Sequence, residues 1–211
     1  EDGDVSVLGW LKEHYLMPEP TVVCMEATGV YSEGLAYFLY ASGYTVAVEP
    51  PLNIQRKFPV NGSKTDELDS QYIAEYACRY VDKLAFWKPR AEILEQVKVL
   101  LTTRQHFSVQ LTGHKNALHA VNRKKVSSAL AKQVHQNMIE QITKHIKAID
   151  QEIRRLIKSD PAFKQTLLLL LSVPGIGLQL AAHLLIAMQE THDPKVLAAF
   201  IGICPIKHES G

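Results

Sequence analysis

The sequence predicts an α/β lobe followed by an all-helical region, and three observations carry that reading. Amphipathic segments alternate with short continuous apolar runs over the first hundred residues, and from Ile93 onward the apolar spacing changes to heptads. The charge divides in step with that change. Residues 1–100 hold 9 Lys+Arg against 15 Asp+Glu, residues 101–158 hold 11 against 3, and residues 159–211 hold 3 against 4, although the whole chain sums to only +1.

Val5 to Leu16 has helical spacing through Val7, Leu8, Leu11 and Tyr15, and Pro18 and Pro20 break it. Thr21 to Met25 then reads as a buried strand ending at Glu26. After Ala27-Thr28-Gly29 a helix runs from Tyr31 to Ala41 and closes at Ser42-Gly43, and a second strand follows over Tyr44 to Val48, stopped by Pro50 and Pro51. This α-β-α-β order predicts a parallel or mixed sheet covered by helices, although two strands are few for a stable sheet. Thr65 to about Val81 forms another helix, with Ser63 as the expected N-cap.

Positions 93, 97, 100, 104, 107, 111, 114, 118 and 121 follow heptad spacing and are apolar except for Arg104 and His114. A second stripe, Val134, Met138, Ile142, Ile146, Ile149, Ile153 and Leu156, ends before Ser159-Asp160-Pro161. Two long helices paired as an antiparallel hairpin are expected, about 40 Å long at 1.5 Å per residue, which suits a stalk or a dimerisation arm. In the last fifty residues Phe163 to Leu171 and Leu178 to Met188 read as helices flanking the tight turn Ser172-Val173-Pro174-Gly175-Ile176-Gly177. The pair resembles a helix-hairpin-helix.

Composition excludes several classes. With 46% apolar and 21% charged residues the chain is neither disordered nor collagen-like. Its longest wholly aliphatic run, Leu167 to Leu171, is far short of the roughly 18 apolar residues that cross a bilayer. Cys24, Cys78 and Cys204 are odd in number and widely spaced, which fits neither a disulfide framework nor a zinc site. Reduced thiols in a cytoplasm are expected, and the acidic Glu-Asp-Gly-Asp start has no secretory character.

Candidate chemistry lies in a few places. Glu26 stands just past a strand's C-terminal end, where α/β proteins place functional groups. Asp66 and Asp69, three apart on a helix, present two carboxylates on one face. Three such carboxylates suit Mg²⁺, which prefers oxygen ligands. Equally, acidic residues in a first helical turn complement the helix dipole, and Glu26 fits a solvated strand end. Gly175 and Gly177 would let backbone N–H groups approach a phosphate, or they simply make the turn between two packed helices. Lys64 is either a phosphate contact or an ordinary loop lysine. The basic block, with Arg123, Lys124 and Lys125 at its centre, attracts polyanions or forms a solvated helix face. The histidines show no paired ligand spacing, and neither a P-loop nor a dinucleotide fingerprint is present.

Four motifs in order, Cys24-Met25-Glu26-Ala27-Thr28-Gly29-Val30-Tyr31, Lys64-Thr65-Asp66-Glu67-Leu68-Asp69, Val173-Pro174-Gly175-Ile176-Gly177 and His208-Glu209-Ser210-Gly211, resemble the DEDD transposases of the insertion-sequence one-ten family. These are recombinases guided by a bridge RNA. The resemblance spans essentially the whole chain. It implies a RuvC-like, RNase-H-type domain over residues 1–90, a coiled-coil arm over 91–160 and the start of a C-terminal transposase domain over 161–211. It further implies that Glu26, Asp66 and Asp69 are the second, third and fourth of four acidic Mg²⁺ ligands. Ser210 matches the serine nucleophile. No segment matches the family's first acidic strand, since Asp2 and Asp4 stand in a polar stretch. The chain therefore reads as an internal portion of such a recombinase.

The leading expectation is Mg²⁺-dependent DNA strand cleavage and exchange through Ser210, at insertion-sequence ends and targets chosen by pairing to a structured RNA. Its partners would be DNA, that RNA, and further copies of the chain, as a dimer or tetramer through the coiled coil. Two alternatives stand beside it. One is a RuvC-like nuclease without serine chemistry, and the other is a non-catalytic nucleic-acid-binding and oligomerisation fragment.

Overall fold

The computed structural model describes residues 2–14, 16–58, 65–191 and 193–200. They fall into two compact units, Glu1–Pro89 and Arg90–Gly211. In the first unit the elements are α1 (Asp2–Glu13), β1 (Val22–Glu26), α2 (Val30–Ala41), β2 (Thr45–Glu49), α3 (Pro51–Gln55) and α4 (Asp66–Arg79), followed by a single 3-10 turn at Val81–Lys83.

The strands β1 and β2 pair in parallel, with Val22 opposite Thr45 and Glu26 opposite Glu49. Alternation along each strand feeds two cores. Val23, Met25, Val46 and Val48 pack with Leu11 of α1 and with Ala36 and Leu39 of α2. Val22, Cys24 and Ala47 pack on the other face with Ile54 of α3 and Tyr72, Ile73 and Tyr76 of α4. The expected sheet is thus a two-stranded parallel one among the described residues, its outer edge touched by an antiparallel bridge between Ala47 and Phe86. Trp87 N–H donates to the Val46 carbonyl at 2.7 Å, and its ring meets Tyr37 and Tyr40 edge-on.

The expected cap at Ser63 lies outside the described residues. Thr65 caps α4, its hydroxyl accepting from Leu68 N–H at 3.3 Å. The short α3 was not foreseen: Pro50 and Pro51 end β2 as expected, but Pro51 also supplies the preset φ of a helix's first turn.

The second unit comprises α5 (Glu92–Arg123), α6 (Ala129–Ser159), α7 (Pro161–Leu171), α8 (Leu178–Glu190) and α9 (Pro194–Phe200). Helices α5 and α6 lie antiparallel, joined by a five-residue loop. Their cross-pairs prove the register: Arg104 with Asp150, Phe107 stacked on His145, and His114 with His135. Both polar interruptions of the α5 heptads therefore have partners across the hairpin. The Arg104 guanidinium donates twice to the Asp150 carboxylate, at 2.7 and 3.2 Å, and the two imidazole Nδ1 atoms meet at 3.0 Å.

At the hairpin's base one core joins Leu94, Val97 and Leu101 of α5 to Ile153, Leu156 and Ile157 of α6, Leu167 of α7 and Ala181, Ala182 and Leu185 of α8. The α6 stripe is buried only in part. Ile142 and Ile153 are covered, whereas Val134 and Met138 are 48% and 40% exposed, and near the tip it is His135 that meets α5, at His114. Between α7 and α8, Gly175 takes φ +91°, which an L side chain adopts only with strain.

Truncating Ile153→Ala is expected to cost about 2–5 kcal/mol, whereas Val134→Ala, in the same predicted stripe, costs under about 1 kcal/mol. Urea titrations of the two variants check this.

Candidate functional site

Two short segments carry the candidate site residues. The first is the end of β1 with the turn after it. Glu26, half-buried, stands two residues beyond Cys24 and so continues the face covered by α4. The turn is held by its own backbone. Ala27 N–H donates to the Glu49 carbonyl at 2.8 Å, Thr28 N–H donates to Ser32 Oγ at 3.2 Å, and the Ser32 hydroxyl donates to the Gly29 carbonyl at 3.1 Å. Gly29 adopts φ +69°, so the Ala-Thr-Gly sequence needs a glycine there.

The second segment is the start of α4. Asp66, exposed, and Asp69, half-buried, both lie in its first turn, and α4 packs on β1. The donor set of Glu26, Asp66 and Asp69 is all oxygen, the chemistry that a hard divalent cation takes. Among the described residues, however, no three His, Cys, Asp or Glu side chains converge into a metal-holding group. Lys64 and Ser210 lie outside the described residues.

One residue at the C-terminal end of β2 was missed by sequence reasoning. Glu49 stands opposite Glu26 in the parallel register, is 4% exposed, and accepts at Oε2 from Asn53 Nδ2 at 3.1 Å and from the Tyr76 hydroxyl at 3.4 Å. The signal was present, because a glutamate closes each strand just before its turn. Burial, and secondarily the Glu49 charge, pushes the Cys24 thiol up to about 11. Burial, then the charge and hydrogen bond of Glu49, raises the Tyr76 phenol as well.

The candidate nucleic-acid contacts lie in two separate turns of the second unit. Arg123, Lys124 and Lys125 are exposed at the hairpin tip, while Gly175 and Gly177 are exposed in the turn between α7 and α8. Beside that turn a groove of about 270 Å³ between α5 and α8 is lined by Thr102, Arg104, Gln105, His106, Gln179 and His183. Its polar lining holds hydrogen-bond donors and no carboxylate.

These features meet a direct comparison with known proteins. Residues 2–123 match the family model of the DEDD transposases of IS110, and residues 167–211 match the transposase model of the IS116/IS110/IS902 family. The chain belongs to the IS110 family of transposases. Over its whole length it is 27% identical to the pilin gene-inverting protein of Moraxella bovis and 26% identical to that of Moraxella lacunata. It spans 65% of the length of each of these curated relatives. Among the described residues no helix is long and apolar enough to cross a membrane.

With its thiol pushed up to about 11, Cys24 is thiolate at pH 8 in only about one molecule in a thousand. Iodoacetamide at that pH should therefore modify the exposed Cys78 and leave Cys24 intact, as peptide mass spectrometry would show.

Proposed function

We propose that this chain is part of a DNA recombinase that cleaves and rejoins strands at the ends of an insertion sequence. The observation that carries the reading is the match of both units to transposase family models, one of which covers the segments bearing Glu26, Asp66 and Asp69. The first unit is read as the RuvC-like, RNase-H-type domain, and the long hairpin as a coiled-coil arm. The relatives named for pilin gene inversion also support strand exchange as the reaction class.

In this reading the Ser210 hydroxyl attacks a phosphodiester at the element's end. A serine–phosphorus bond forms, the bond to the leaving sugar oxygen breaks, and the serine proton ends on that oxygen. The phosphoserine preserves the bond energy until the hydroxyl of the exchanging strand reverses the step. Glu26, Asp66 and Asp69 supply negative oxygen donors at the sheet edge, and Mg²⁺ is the cofactor that such a donor set implies. Lys64, beside Asp66, and the Gly175 and Gly177 turn contact phosphates. At the tip, Arg123, Lys124 and Lys125 hold a nucleic-acid backbone by charge, independently of sequence. A structured guide RNA chooses the DNA by base pairing.

The α5 heptads face α6 of the same chain, so self-association as a dimer or tetramer uses the hairpin's outer surface, where Val99, Val109, Leu130 and Val134 are exposed.

Mg²⁺ or Mn²⁺ should raise the melting temperature by mass action, and the Asp66→Asn/Asp69→Asn pair should abolish the rise. A rise that persists in that variant overturns the carboxylate assignment. Ser210→Ala should abolish the covalent protein–DNA adduct on denaturing gels. Cleavage that continues without an adduct would favour a nuclease over a serine recombinase. Lys124→Glu/Lys125→Glu should weaken binding to all sequences alike and lower the slope of log affinity against log salt, by about 1 to 2.

A further inference from the structure

Glu49 is the buried carboxylate of the described residues, and it stands between the two segments that carry the candidate site. Through its backbone carbonyl it holds Ala27, next to Glu26. Through its carboxylate it holds Asn53 on α3 and Tyr76 on α4. No cation pairs with it among the described residues. Packing alone does not call for a glutamate here, and what distinguishes it from an apolar side chain is the pair of donors, Asn53 and Tyr76, that its carboxylate holds.

Tyr76 and Asp69 are seven residues apart on α4, two helical turns, and so share one face of that helix. A tie at the phenol therefore fixes which way the face bearing Asp69 turns.

We propose that Glu49 is a positioning residue: its hydrogen bond to Tyr76 sets α4, and with it Asp66 and Asp69, against the strand end that carries Glu26. This rests on the reading that those three carboxylates act together. Glu49 itself touches neither DNA nor the reacting phosphate.

Hydrogen exchange on the metal-free chain tests the tie without reference to activity. Glu49→Leu and Tyr76→Phe should each speed exchange of the α4 amides about tenfold. Glu49→Gln, whose side-chain oxygen still accepts from Tyr76, should stay within about threefold of the parent. The Glu49→Leu/Tyr76→Phe double variant should exchange no faster than either single one, because one bond joins the pair. Where Glu49→Leu fails to fold, Tyr76→Phe and Glu49→Gln carry the comparison. Unchanged α4 exchange in Tyr76→Phe, or exchange in Glu49→Gln at least tenfold faster than in the parent, overturns the proposal.

In a strand-cleavage assay kcat should fall in the variants whose α4 exchange speeds up, Glu49→Leu and Tyr76→Phe, while KM for DNA holds, and Glu49→Gln should keep the parent's kcat. Cleavage that survives Asp66→Asn would instead refute the underlying recombinase site, an outcome the exchange data do not touch.

Discussion

The parallel register of β1 on β2 is the constraint on which the first unit depends. With only two strands, each side chain's face is decided by one pairing, and a slip by a single residue would exchange the two faces. In the observed register Val23 and Val46 meet α1 and α2, Cys24 and Ala47 meet α4, and the two strands end level at Glu26 and Glu49. The turn at Ala27, the tie to Tyr76 and the raised Cys24 thiol all follow from that alignment.

The second unit is organised differently. Its core sits at the base, where four helices meet, and the rest of the hairpin is a two-helix ribbon that cannot bury a full stripe. Along the ribbon polar pairs interrupt a seam whose apolar members, Leu111, Leu118 and Val121 among them, are only partly buried. The Arg104 and Asp150 pair is partly exposed and adds modest stability, but its forked geometry allows only one alignment of the helices. The imidazoles of His114 and His135 do the same farther out.

Much of this was legible in the sequence because the strong signals were periodic. Heptads located α5 to within a residue or two at each end, and Pro50, Pro51 and Gly43 marked the boundaries of β2 and α2. What could not be read were facts of three dimensions. A single helix cannot reveal that Arg104 and His114 have partners 46 and 21 residues away. Val134 and Met138 fit the stripe by spacing, yet a two-helix ribbon leaves them half uncovered. Glu49 looked like the polar end of a strand, and only the pairing of the strands makes it a buried group facing α4. Motif and spacing singled out Glu26, Asp66 and Asp69 as candidates, but sequence separation carries no information on how closely they approach.

The α5 and α6 hairpin also acts as a molecular ruler. Helical rise alone separates the level of Arg104, where the groove meets the start of α8 beside the glycine turn, from the Arg123-Lys124-Lys125 tip by about 28 Å, somewhat less than one turn of B-form duplex. Because polar pairs lock the register, that span cannot shorten by sliding. A duplex lying along the unit would therefore meet positive charge at the tip and the exposed glycine turn within about one helical repeat, so both contacts fall near one face of an unbent duplex.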